Sequence, residues 1–411
     1  MEQKRENIYL GIDLSDRYAM ISYYQLNMNE PVTVSTIAGS EAYQIPTLLA
    51  KRKGVGQWYY GDDAKKMAKT AEVICVDDLV KRAVSGETVR MEEQSFEAWE
   101  LLALFLRKVI ELPRKLGNAP TCNRLILSVE RLTKENMEVF WKIAPKLGFS
   151  EEQFVVVDHK ESFYHFALSQ SQSLWIHDVY LFECDEKNLF YYGLKRNTRT
   201  VPQVISIKEG TKNPMDEDKD REFLSILQNA FDNQIVSTAY LVGDGFEGQW
   251  MKDSLTYLCR NRRVFIGNNL YSKGACYAGF NREHPEYWKF VYMGENEMKF
   301  NLSLKVRNRG NLAFHTLISA GTNWFEAKGE CEVILSGSPE IEFWKQLPNS
   351  RDAVIESLEL SDLPNRPDRT TRLRITVTPI SDEKVEVLIK DLGFGEIYRS
   401  TDKSWKYTMT M

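Results

Sequence analysis

The chain is 411 residues long, room for two or three domains, and carries 53 basic against 58 acidic side chains, a net charge of -5. That balance provides no global basic field for nucleic acid or an anionic membrane. A hydrophobic content of 43% with 12% aromatics fits a packed globular protein rather than a disordered one.

The opening MEQKREN is charged and the next apolar run is broken at Asp13, so no secretory leader is expected. No apolar stretch approaches membrane-spanning length. The six cysteines (Cys75, Cys122, Cys184, Cys259, Cys276, Cys331) form no CxxC pair. Cys75 and Cys184 lie in apolar runs, which predicts buried free thiols in a reducing cytoplasm. The five histidines show no HxxxH or HExxH spacing, so no dedicated metal site is expected.

In chain order, residues 8–24 (IYLGIDLSDRYAMISYY) predict a β-hairpin whose polar turn holds Ser15, Asp16 and Arg17. Asp13 ends the first strand. A carboxylate there suits a phosphate or Mg²⁺ site, because Mg²⁺ prefers hard oxygen ligands; the plainer account is an acid in a turn. Residues 32–37 predict a third strand. Two more strands flank the turn at 53–56, and a helix near Gly61 has Asp62 or Asp63 as its cap. Residues 95–116 have helical periodicity with Ser95 as N-cap. A buried strand follows at 124–130, a helix runs from the Thr133 cap to the Gly148 stop, then comes a strand at 154–159 and a helix at 161–170. This alternation predicts an α/β domain.

A second hairpin with an acidic turn spans 178–195. A polar insert (208–221), a helix (220–232), a strand with a glycine turn (239–255), a helix, and a strand–loop–helix block (264–280) complete this part. Residues 281–288 read as a linker. From Lys289 to Met411, strands and turns alternate, which predicts a β-sandwich of roughly eight short strands.

Two hairpins with acidic turns, each leading a β/α half, followed by a glycine turn, resemble the actin-like ATPase superfamily, and within it the DnaK-type heat-shock chaperones. GIDLSDRY (11–18) resembles the family's first phosphate motif. VVVDHKESFYHFAL (155–168) is similar to the strand and helix of its first connecting motif, and YLVGDGFEG (240–248) to its adenosine motif. NNLYSKGACYAG (268–279) stands at the second connecting motif, and residues 372–399 resemble the end of the chaperones' substrate domain. The fold so implied is an actin-like, ribonuclease H-like α/β domain over 1–280, in half-lobes 1–170 and 171–280, with an all-β sandwich over 289–411.

The resemblance implies a Mg·ATP or Mg·ADP cleft. Gly11, Asp13, Ser15, Arg17, Glu183, Gly243, Asp244 and Gly245 would touch the nucleotide, with Asp13 holding Mg²⁺ through water. Asp13, Lys81, His159 and Glu161 are the catalytic candidates. The residues also depart from the family. Ser15-Asp16-Arg17 stands where it has Gly-Thr-Thr, and Glu183 to Asn188, with three acids, where it has an acid and a run of glycines. His159 replaces the water-activating acid; a hydrogen-bonded core histidine is the plainer account. Only 60 positions separate Glu183 from Gly243, so the small lobe over the adenine is reduced. No helical lid is expected after the sandwich, and the linker lacks the chaperones' leucine-rich connector.

These departures favour a cytoplasmic chaperone-like scaffold that binds a protein or peptide through its sandwich, with nucleotide weak or absent and no role for nucleic acid. A slow ATP-dependent chaperone and an actin-like assembly adaptor are the alternatives.

Overall fold

The computed structural model describes residues 8–37, 39–70, 72–117, 122–185, 187–211, 213–215 and 218–411. The chain forms two compact units: residues up to Lys195 with Ile207–Trp288, and Arg196–Ser206 with Lys289–Met411.

Two mixed sheets, whose ten principal strands are numbered β1–β10, supply most strands of the first unit; residues 203–206 of β8 fall in the second. The first sheet holds β1 (Ile8–Leu14), β2 (Tyr18–Gln25), β3 (Val32–Thr33), β4 (Arg124–Val129) and β5 (Phe154–Asp158), in the order β5-β4-β1-β2-β3. The second holds β6 (Asp178–Cys184), β7 (Asn188–Asn197), β8 (Gln203–Glu209), β9 (Val236–Val242) and β10 (Arg263–Ile266), in the order β10-β9-β6-β7-β8. The orders are the same, and so are the strand senses at the centre. β1 runs antiparallel to β2 and parallel to β4, as β6 does to β7 and β9. Asp13 and Glu183 are the next-to-last residues of the equivalent strands β1 and β6.

β1 is buried along its whole length, as expected of a central strand covered on both faces. The helix Leu270–Glu283 follows the second sheet in sequence but packs on the first. Its Ala275, Cys276, Tyr277 and Ala278 share a core with Tyr9, Tyr24, Ile126 and Val157. It also lies along the helix His159–Ser169. A separate core around Phe182, Phe223, Leu227 and Phe246 supports the second sheet.

The second unit contains two four-stranded antiparallel sheets. One joins Asn301–Asn308, Asn311–Ile318, Glu340–Gln346 and Ala353–Glu359. The other joins Gly329–Ile334, Arg372–Ser381, Lys384–Gly393 and Ser404–Thr410. Residues alternating along the strands, among them Leu302, Leu304, Phe343, Leu373, Ile375, Val387 and Ile389, fill one shared core. This is a β-sandwich.

Several local expectations change. Ser95 caps no helix: it lies in the strand Gln94–Glu97, paired with Thr88–Met91, and the helix Ala98–Ile110 starts after it. Asp62 and Asp63 sit in the first turn of Gly61–Met67, whose N-cap residue Tyr60 makes no side-chain cap bond. Strand pairing at 32–37 is confined to Val32–Thr33. Residues 281–283 complete a helix rather than open a linker. Cys75 is exposed, because its short strand Val73–Val76 packs only part of its surface; all six cysteines are free. No helix among the described residues is long and apolar enough to cross a membrane.

Candidate functional site

The tips of β1 and β6 and the start of the helices His159–Ser169 and Leu270–Glu283 bring four side chains into one chain of contacts. His159 Nε2 donates to Asp13 Oδ1 at 2.9 Å. The imidazole lies flat on the Tyr271 ring, with centroids 3.7 Å apart and planes 8° apart. The Tyr271 hydroxyl donates to Glu183 Oε2 at 2.5 Å. Asp13 is 1% exposed and His159 8%, so the contact is buried.

Electrostatics follow from this geometry. Burial disfavours charge on His159, but the Asp13 carboxylate outweighs burial and raises the imidazole pKa above its ordinary value. Burial raises Glu183, with the His159 charge and the Tyr271 hydrogen bond pulling the other way. Burial also pushes the Tyr18 phenol up, and Asp13, Glu183 and Asp244 add to that shift, so Tyr18 feels all three acids. Asp158 accepts from the Glu161 backbone N–H and caps the helix His159–Ser169; burial raises its pKa to about 6.

Each of the turns that would cradle phosphate makes hydrogen bonds within itself. In the first, Ser15 Oγ donates to the Tyr18 carbonyl and accepts from the Tyr18 N–H. Asp16 reaches away from the turn: its Oδ1 accepts from Val80 and Lys81 N–H at 2.8 and 3.0 Å, capping the helix Leu79–Val84. In the second, Asp185 Oδ1 accepts from the Lys187 and Asn188 N–H groups, each at 2.7 Å. A carboxylate thus takes the place a phosphate oxygen would occupy in a backbone nest. Glu186 of this turn lies outside the described residues, as do Lys212, Asp216 and Glu217 of the polar insert.

The glycine turn is spent on packing. Gly243 has φ +106°, and a Cβ there would meet the Cys184 carbonyl oxygen at 2.2 Å. A Cβ on Gly245 would meet the Asp185 carbonyl oxygen, also at 2.2 Å. These glycines therefore admit the β6–β7 turn itself. Asp244 Oδ1 accepts from Gln44 Nε2 and Asn268 Nδ2, and the Gly243 N–H donates to Asn268 Oδ1.

The remaining candidates sit elsewhere. Gly11 makes room for the Ser272 carbonyl, 2.1 Å from where its Cβ would be. Arg17 and Lys81 are exposed. Glu161 turns into the contact between the two helices, where Oε1 accepts from Arg282 Nη2 at 3.1 Å and lies 3.6 Å from His165 Nε2. The structure brings together Asp13, His159 and Glu183, and leaves Lys81 and Glu161 out of that chain.

Mg²⁺ seeks several hard oxygen ligands in octahedral geometry. Asp13 Oδ1 is engaged by an imidazole, and no cluster of three or more His, Cys, Asp or Glu among the described residues is arranged to hold a metal ion. The described side chains gather no set of three direct ligands for Mg²⁺.

Sequence reasoning missed Tyr271 and the self-capping role of Asp185. The stretch 268–279 was visible as a motif, but nothing local marks Tyr271 as the partner of an acid 88 positions away. Asp185 was legible in type, since Asp two residues before the N–H it accepts forms an Asx turn.

The C-terminal profile of a family of unknown function, DUF5716, matches residues 30–295, and a domain of unknown function, DUF8552, matches residues 297–411. The chain belongs to the DUF5716 family. No curated protein matches it.

Proposed function

We propose that this chain is a chaperone-like, protein-binding scaffold built on a degenerate actin-like ATPase domain of DnaK type. Its nucleotide cleft is closed by its own side chains. The observation that carries the reading is the chain of contacts Asp13–His159–Tyr271–Glu183. It ties up the acids of the two equivalent strands where an ATPase of this class would present them to Mg²⁺ and phosphate. The actin-like assignment is supported by the repeated strand order of the two sheets.

The sandwich is the partner-binding part in this reading. On one sheet, Phe314 packs edge-on against Trp344, Lys305 lies over the same indole, and Ile355 pairs beside it. Leu312, Phe314 and Ile355 are 63%, 56% and 48% exposed, an apolar face suited to a protein or peptide. Free cysteines and the absence of a basic field accord with a cytoplasmic protein that does not bind nucleic acid.

The test is calorimetry with Mg·ATP and Mg·ADP on the wild type and Asp13→Asn. The expected result is no binding heat at millimolar nucleotide. Micromolar binding that disappears in Asp13→Asn would overturn the reading in favour of a slow ATP-dependent chaperone, to which the matched positions of Asp13 and Glu183 lend support.

A further inference from the structure

At the edge of the second sheet where β6, β9 and β10 begin, far along the strands from Asp13 and Glu183, the first unit has an open surface concavity of about 550 Å³. Small-molecule pockets span about 300–1,000 Å³. The fixed charges that line it are of one sign: Arg262 and Arg263 contribute to the wall beside the His177 imidazole, and no acid does. The hydroxyl-bearing Ser173 lies among them, and Ile176 and Ile235, 53% and 69% exposed, form an apolar shoulder.

Arg262 is held rigidly. Its guanidinium lies 4.4 Å from the Phe231 ring centroid and 5.3 Å from that of Tyr257, so two aromatic faces fix its plane. One of its terminal nitrogens, Nη1, is buried without a hydrogen-bond partner among the described residues. That nitrogen opens onto neither solvent nor the concavity, so an anion is met by the exposed parts of Arg262 and Arg263. A chain with net charge -5 that gathers two arginines and a histidine around one concavity, with no counter-acid in its wall, has the complement of an anionic ligand.

The geometry points to a second binding site here, for a small molecule bearing a phosphate or carboxylate group on an apolar body. The anion meets Arg262, Arg263 and His177, while the body lies on Ile176 and Ile235. The site is independent of the cleft, and it holds whether or not the cleft takes nucleotide.

Phenyl phosphate, benzoate and inorganic phosphate serve as probes, titrated by calorimetry at low salt into the wild type, Arg263→Gln and His177→Gln. Both substitutions replace exposed side chains, and an unchanged melting temperature certifies the fold. The expected result is saturable one-to-one binding of phenyl phosphate or benzoate, the stronger of the two naming the anion. Arg263→Gln should weaken it about tenfold or more, the equivalent of one lost charge-assisted hydrogen bond. Three results would overturn the proposal. They are no saturable binding of either aromatic probe, binding unchanged in both variants, or inorganic phosphate binding as tightly as phenyl phosphate, which would deny the apolar shoulder any part.

Discussion

His159 does for Asp13 what a cation would do in a nucleotide cleft. A buried carboxylate without a partner is expensive, and the imidazole satisfies it at 2.9 Å while Tyr271 covers its face. Removing one partner of such a pair leaves the other charge uncompensated. His159→Gln should therefore cost about 3 kcal/mol of stability near pH 6. The pH dependence has a definite sign. The folded pKa of His159 is raised, so its contribution is complete below the unfolded value of about 6.5 and is lost as pH climbs through the folded value. Asp158, raised to about 6, loses its own contribution over a lower window, as pH rises towards that value, so the trend above pH 6 belongs to His159. The melting-temperature gap between wild type and His159→Gln should narrow from pH 6 towards alkaline pH. A gap that stays constant or widens would show that the pair is not held by protonated His159.

The helices His159–Ser169 and Leu270–Glu283 make this arrangement possible by approaching backbone to backbone. A Cβ on Gly274 would lie 2.1 Å from the Ser162 carbonyl oxygen and 2.7 Å from its carbon. Backbone atoms cannot rotate away as a side chain does, so Gly274→Ala must separate the helices and draw Tyr271 off His159. Overpacking costs about 1–3 kcal/mol, and this site belongs at the upper end. Thermal denaturation should show a large drop for Gly274→Ala and almost none for Gly56→Ala, where nothing lies within 4 Å; equal effects would refute the close approach. Such contacts also mark the limit of sequence reading. The helix Lys134–Leu147 was legible to the residue, because Thr133 and Asn136 form a capping box and Gly148 stops it at φ 86°. Those signals are local. Ser95 misled because its role is set by pairing with Arg90. Asp13 stood out at the end of an apolar run, whereas Tyr271 acquires its meaning only from the fold. The expectation of thinned phosphate turns came from side-chain type alone; that Asp185 occupies its own turn's N–H groups is a matter of geometry.

For the whole molecule, the division of the chain into units has an energetic counterpart. Every member of the sandwich core, from Met298 to Met409, belongs to the stretch matched by the second domain profile, residues 297–411. Both four-stranded sheets lie inside it as well. The core contains Phe300, Phe343, Leu373, Ile375, Val377, Val385, Val387 and Ile389, all fully buried. Burying such side chains contributes about 1.5–3 kcal/mol each before chain entropy is subtracted, enough for a domain of this size to fold alone. A buried ion pair adds definition: Arg366 donates two hydrogen bonds to Asp391, each 2.9 Å, and Thr401 and Gly393 satisfy the same carboxylate. The fragment 297–411 should therefore give dispersed amide spectra and a single cooperative thermal transition without the rest of the chain. Arg366→Met should lower its melting temperature sharply by leaving Asp391 buried without its cation. A fragment that stays unfolded would mean that the sandwich depends on residues outside its own core, and that the family boundary at 295–297 does not mark a folding boundary.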